Sequence, residues 1–257
     1  MRDIEPPKTP APRVDDEIRE HGFTVVPSSD ILGLMGGDKG ALDALAEHWN
    51  ALPLDVHLRD GGRYRRRRHG CFVVERGKVD PQPHRAHWQS VEYNALHGGF
   101  ERWFEPLPVS LVAAEAWTRF LVWLGERADA LRGSQPWYVE AHAFRIETTG
   151  GIGRPTPEGA HRDGVDLVAV AMLARHAVRG GETRVFEADS ARGSRFTLHE
   201  PWTTLLLDDA RGVHETTPLL PLLPPASSAN AAESPPEVGY RDTLVVTLRA
   251  GGFQAPR

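Results

Sequence analysis

Along this chain the spacing of apolar residues changes character once, near Gly133. Before it, apolar positions recur at helical intervals. VDDEIREHGF (14–23) reads as a short helix stopped by Gly22 and leading into the strand-like FTVV. From Asp38 onward, Leu42, Leu45, Trp49 and Leu52 fall on one stripe, which predicts a second helix. The third stripe is longer. Across 111–131, Trp117, Phe120, Leu121, Leu124, Ala128 and Leu131 repeat at helical spacing, and Gly133 follows as a stop.

Beyond Gly133 the runs become short and rich in β-branched or apolar residues: 137–148, 166–173, 183–187, 194–199, 203–209 and 242–249. Turn residues separate them, and short strands at this spacing predict a sandwich or barrel. The Pro-rich residues 1–13 read as a loose terminus, and the Pro/Ser/Ala-rich 221–239 as a long mobile loop. There is no internal repeat. The pattern predicts one folded unit over 1–257. A helical or mixed region (14–133) packs on a β-sandwich or barrel core (134–250), giving a mainly β protein with flanking helices.

Composition narrows the classes. A chain of 257 residues, 40% hydrophobic and 25% charged, is ordinary for a soluble protein with a substantial core. The net charge of −5 speaks against a general nucleic-acid binder. A lone cysteine, Cys71, allows no internal disulfide and fits a reducing cytosol. The opening MRDIEPPKTP carries no apolar run, so it is not a secretory signal, and no stretch approaches the roughly 20 apolar residues of a membrane helix. The expectation is a cytoplasmic protein without a nucleic-acid or membrane partner. Oligomeric state has no signature in the sequence.

The chemistry concentrates in PTPEGAHRDGVD (155–166). His161 and Asp163 are two residues apart, so on an extended strand both side chains leave the same face. A third ligand can arrive from a later strand, and His214 in DDARGVHETTP is placed for it. Two histidines and a carboxylate form the facial triad of non-haem iron(II) oxygenases, which leaves coordination positions open. The same set also suits a cupin-like isomerase or hydrolase with another metal.

PTPEGAHRDGVD, then GGET (180–183), HETTP (214–218) and YRDTLVVTL (240–248), with RYRRRRHG (63–70) upstream, occur in an order that resembles one family. It is the bacterial 2-oxoglutarate-dependent amino acid hydroxylases typified by L-isoleucine dioxygenase, and the resemblance runs from about residue 60 to 250. It implies a double-stranded β-helix, a cupin-like jelly roll, with the metal between two sheets. It also implies Fe(II) as cofactor, 2-oxoglutarate and O2 as co-substrates, and His161, Asp163 and His214 as ligands. The implied reaction decarboxylates 2-oxoglutarate to succinate and CO2 while hydroxylating an aliphatic C–H of a free or N-modified amino acid. The 221–239 loop departs from the family in its length.

The distal carboxylate of 2-oxoglutarate calls for a guanidinium fork. Arg241 opens the last strand, and Thr243 faces the same way; an Arg-x-Ser/Thr pair here looks like the superfamily's clamp. Arg249 shares the parity and is the second candidate. For a substrate carboxylate, Arg63, Arg65 and Arg67 share one parity, and Arg162 or Arg145 could contribute. Alternation sends His142 and Arg145 to opposite faces, so only one lines the pocket. His84 and His87 show no carboxylate partner and are not expected to bind metal, while Trp103, Trp117 and Trp123 are expected in the core. A macromolecular substrate steered by 63–68 is disfavoured by net acidity and the lack of interleaved aromatics.

Overall fold

A computed structural model describes residues 4–190, 192–222 and 238–256. In chain order the elements are α1 (Val14–His21), β1 (Phe23–Val26), α2 (Ser28–Leu34), α3 (Lys39–Glu47), β2 (Arg65–Glu75), β3 (Lys78–Pro81), α4 (Val109–Val112) and α5 (Glu115–Arg132). They continue with β4 (Trp137–Glu147), β5 (Leu167–His176), β6 (Val178–Gly180), β7 (Thr183–Glu187) and β8 (Gly193–Phe196). The last four are β9 (Thr204–Asp208), β10 (Gly212–Thr216), β11 (Leu219–Pro221) and β12 (Tyr240–Arg249).

The strands form a large antiparallel sheet in the order β1-β9-β5-β12-β4-β2-β3 and a small sheet β10-β7-β8, with β11 paired to β6. Side-chain alternation gives the large sheet two different faces. On one, Val139, Ala141, Ala143, Leu167, Ala169, Ala171, Leu244, Val246 and Leu248 pack against Trp117, Phe120, Leu121 and Leu124 of α5. The other face turns to the small sheet, where Val168, Met172, Leu205 and Leu207 meet Val185 and Phe196. Two antiparallel sheets face to face, with helices on the outer side, make the expected jelly roll.

Helix stops fall where glycine was read. Gly22 takes φ 77° and its N–H closes on the Ile18 carbonyl, ending α1. Asp38 caps α3 by accepting from the Gly40 N–H, but Trp49 lies beyond that helix in a 3-10 turn, His48–Ala51. Its indole Nε1–H donates to the carbonyls of Phe144 and Thr243, both at 3.1 Å, and so bolts the turn across β4 and β12.

Several expectations are corrected. Residues 4–13 are tied down, because Thr9 donates to the Val25 carbonyl and the Ala11 N–H to Asp30. The run 65–75 is a full strand whose arginine alternation hides its period. Trp103, expected in the core, is 55% exposed, whereas Trp117 and Trp123 are buried. Most of 221–239 lies outside the described residues. No described helix is long and apolar enough to cross a membrane.

Trp49 gives the test of this layering. Trp49→Ala empties a site 1% exposed and should cost about 3–5 kcal/mol. Trp49→Phe keeps most of the volume but removes the one N–H that both carbonyls share, an expected cost of about 1–3 kcal/mol. Denaturant unfolding separates them; equal midpoints for the two variants would contradict the bolting role.

Candidate active site

A cleft opens between the inner faces of the two sheets. Its walls include Arg65 and Arg67 of β2, Glu140, His142 and Phe144 of β4, Arg241, Thr243 and Val245 of β12, and His214 of β10. His161 and Asp163 complete one end.

The segment carrying these two is not the strand that was expected. Only His161 pairs, and it does so with His214 through reciprocal backbone hydrogen bonds, His161 N–H to O at 3.0 Å and His214 N–H to O at 2.9 Å. The rest is held by a side chain. Asp209 has no exposed surface, and its carboxylate accepts the N–H groups of Asp163 (2.9 Å), Gly164 (2.8 Å) and Val165 (3.1 Å). Gly164 sits at φ 74°, and a Cβ there would lie 2.4 Å from the Tyr93 ring, so this turn needs glycine.

The three side chains nevertheless converge. His161 Nε2 is 3.8 Å from Asp163 Oδ1, and His214 Nε2 is 3.8 Å from Asp163 Oδ2. These separations are too long for hydrogen bonds, yet all three donors can reach one ion at roughly 2.0–2.2 Å. Their neighbours aim them. His161 Nδ1 lies 2.9 Å from the Gly159 carbonyl, which places the proton there and turns the Nε2 lone pair inward. Gln89 donates to Asp163 Oδ1 at 3.1 Å. Burial opposes charge on His161, but Asp163 and Glu158 outweigh it and raise its pKa. Burial and the His161 charge push His214 down to about 3, so it stays neutral, as a ligand must. The donor set fits a divalent metal.

Arg241 lies in the same cleft, 3% exposed, with buried Nε and Nη2 that have no partner. Asp242 next to it is taken: Arg145 forks onto it through Nε (2.8 Å) and Nη2 (2.7 Å). No ion pair joins Arg241 to a carboxylate among the described residues, and burial with the Arg175 charge lowers its pKa to about 9 against the pull of Asp242. Thr243 lines the cleft beside it. Arg249 is at the far end of β12, donating to the Gly252 carbonyl.

The substrate candidates divide. Arg65 and Arg67 line the cleft, Arg63 is exposed, and Arg162 is outside the lining. Arg145 is committed to Asp242, so of the β4 pair it is His142 that faces in. The expectation for His87 is corrected: Glu140, from a strand remote in sequence, lies 3.3 Å from its Nδ1. His69, His87, Glu140 and His142 form a buried cluster whose donor atoms could also surround an ion. Internal hydrogen bonds already occupy it, with His69 and His87 on Glu140 and Arg67 Nη2 donating to His142 Nδ1 at 2.9 Å. Asp209, Gln89, Glu140 and Arg102 were not singled out in sequence. Gln89 and Arg102 lie outside the predicted elements, Asp209 ends the run 203–209, and Glu140 sits in an apolar strand with no local cue.

A single divalent ion per chain is expected, bound by the His161 end. His161→Ala should abolish it and His87→Ala retain it, read as metal content after dialysis. Asp209→Asn cannot accept three N–H groups with both oxygens, and should weaken metal binding about 10–100-fold while leaving the fold intact. Unchanged affinity contradicts the role given to Asp209.

No curated protein matches the chain. The model of the 2OG-Fe dioxygenase family matches residues 46–247. The crystal structure of a bsmA homolog from Methylobium petroleophilum PM1 is 52% identical, with a TM-score of 0.86 over 96% of this chain and 95% of that one. IDO from Bacillus thuringiensis is 16% identical, with a TM-score of 0.72 over 93% and 95% of the two chains. The Fe(II)/α-ketoglutarate-dependent dioxygenase TqaL is 20% identical, with a TM-score of 0.69 over 95% and 90%. These two share the fold, the double-stranded β-helix. The chain belongs to the 2OG-Fe dioxygenase family, enzymes that use iron(II), 2-oxoglutarate and dioxygen.

Proposed function

We propose that this chain hydroxylates an aliphatic C–H of a free or N-modified amino acid, with His161, Asp163 and His214 holding the iron and Arg241 the distal carboxylate of 2-oxoglutarate. The observation that carries the reading is one cleft holding both a converging His/Asp/His set and a buried guanidinium with unpartnered N–H groups. Iron(II) with 2-oxoglutarate and dioxygen supplies the oxidising power for C–H hydroxylation and releases succinate and CO2.

The chain's own residues bind and orient. Arg241 offers two buried N–H groups to a carboxylate, and Thr243 adds a hydroxyl from the same face of β12. An isomerase or hydrolase would leave that buried charge without a purpose. The amino-acid assignment rests on the ordered motifs of the sequence and on Arg65 and Arg67 in the cleft wall. Val170, Val245 and Phe144 provide apolar surface for an aliphatic side chain. A cytoplasmic location is proposed from the single thiol of Cys71, which is buried and unpaired.

Two measurements test this. Succinate release with Fe(II) and 2-oxoglutarate should be stimulated by members of a panel of amino acids and N-acyl amino acids; a flat response across the panel contradicts the substrate class. Arg241→Lys should raise the 2-oxoglutarate KM by an amount worth about 2–5 kcal/mol, because one ammonium cannot copy the fork. An unaltered KM removes Arg241 from the role.

A further inference from the structure

We propose that Arg67 and Arg102 form a second anion subsite in this cleft, one that anchors the carboxylate of the organic substrate beside Asp163. The proposal rests on the dioxygenase reading and names what that reading leaves open: where the substrate's carboxylate is held.

Both guanidiniums are buried, Arg67 at 4% exposure and Arg102 at 1%, and both line the cleft. Neither has a carboxylate within ion-pairing distance among the described residues. Two of the nearby acids are committed elsewhere. Asp55 accepts from Arg65 Nε at 2.7 Å and Glu140 accepts from His69 and His87, while Glu158 lines the same cleft 3.7 Å from His161 and makes no ion pair with either arginine. What the two arginines do contact is neutral. Arg67 donates to His142 and stacks over Phe104 and Phe144, at 3.9 and 4.6 Å from the ring centroids. Arg102 Nη2 donates to Gln89 Oε1 at 3.0 Å. Aromatic faces and amide oxygens ease a cation's burial but do not cancel its charge.

Unused donors remain. Arg67 Nε, Arg102 Nε and Arg65 Nη2 are buried without partners. This is the same signature that marks Arg241, repeated at the other wall of the cleft. Like charges held together out of water are costly, and an arriving carboxylate both neutralises them and fills the open N–H positions. The two cationic places thus serve two organic acids, 2-oxoglutarate at Arg241 and the substrate at Arg67 and Arg102.

Gln89 fixes how near this anchor stands to the metal. Its Oε1 takes the Arg102 N–H and its Nε2 donates to Asp163 Oδ1 at 3.1 Å. One amide group therefore spans the interval between the anion anchor and a proposed metal ligand. Such a short link selects a small substrate whose reacting C–H lies a few bonds from its carboxylate.

The test uses Fe(II)-loaded protein under nitrogen with saturating 2-oxoglutarate, so that Arg241 is occupied. Acetate, propionate and inorganic phosphate are titrated against the thermal midpoint, with acetamide as the uncharged counterpart and sodium chloride for ionic strength. Acetate and propionate should raise the midpoint saturably, while acetamide and chloride do not. Arg67→Met and Arg102→Met should each weaken that response at least tenfold, and Arg102→Lys should restore part of it, which a merely structural role would not produce. A response to acetamide equal to that of acetate, or Met variants that respond like the parent, overturns the subsite. Phosphate acting more strongly than the carboxylates overturns the substrate class named here. If 2-oxoglutarate itself leaves the midpoint of the Fe(II) protein unmoved, the dioxygenase reading fails, and the acetate series on metal-free protein still decides the anion subsite.

Discussion

Two reciprocal backbone hydrogen bonds, between His161 and His214, organise the reactive end of this molecule. They join a segment of irregular backbone to strand β10 of the small sheet and set the two imidazoles 4.7 Å apart. On one side, β10 is registered against β7, which fixes His214. On the other, the Asp209 carboxylate gathers the next three N–H groups, which fixes Asp163. A geometry suited to an ion is thus assembled from backbone pairing and one buried acid, before any metal contributes.

The cleft also carries charge that the protein does not cancel internally. Arg241 at one wall and Arg67 with Arg102 at the other hold N–H groups that are buried and unmatched. Outside the cleft lining the guanidinium of Arg145 is paired with the buried Asp242. The contrast is informative: a local breach of the rule that buried charge is paired marks a site kept ready for an anionic ligand, at a cost in stability borne by the surrounding packing.

Much of this was legible in the chain. Short runs rich in apolar and β-branched residues located β4, β5, β7, β9 and β12, because these strands pack on α5 or on the opposing sheet. The parity of Arg241 and Thr243 correctly put both on the inner face of β12. Other parts had no local signal. Strand β2 begins with four arginines, so the alternation between inward Arg65 and Arg67 and outward Arg66 and Arg68 is invisible in composition. Parity identified the two faces of His142 and Arg145 but not which faced inward, because that depends on Asp242, across the sheet in β12. Glu140 and His87 are 53 residues apart and meet only in the tertiary fold, and Arg102 reaches the cleft through a single bridge between His87 and Arg102. Long-range partners of this kind leave no periodic trace.

The central claim is that the His161 end, not the His69, His87, Glu140 and His142 cluster, is the iron site. Anomalous diffraction at the iron edge, from crystals grown anaerobically with Fe(II) and 2-oxoglutarate, tests it directly. One peak roughly 2.0–2.2 Å from the nitrogens of His161 and His214 and from an Asp163 oxygen, with 2-oxoglutarate reaching Arg241, is the predicted result. A peak inside the other cluster, or 2-oxoglutarate bound away from Arg241, would contradict the account.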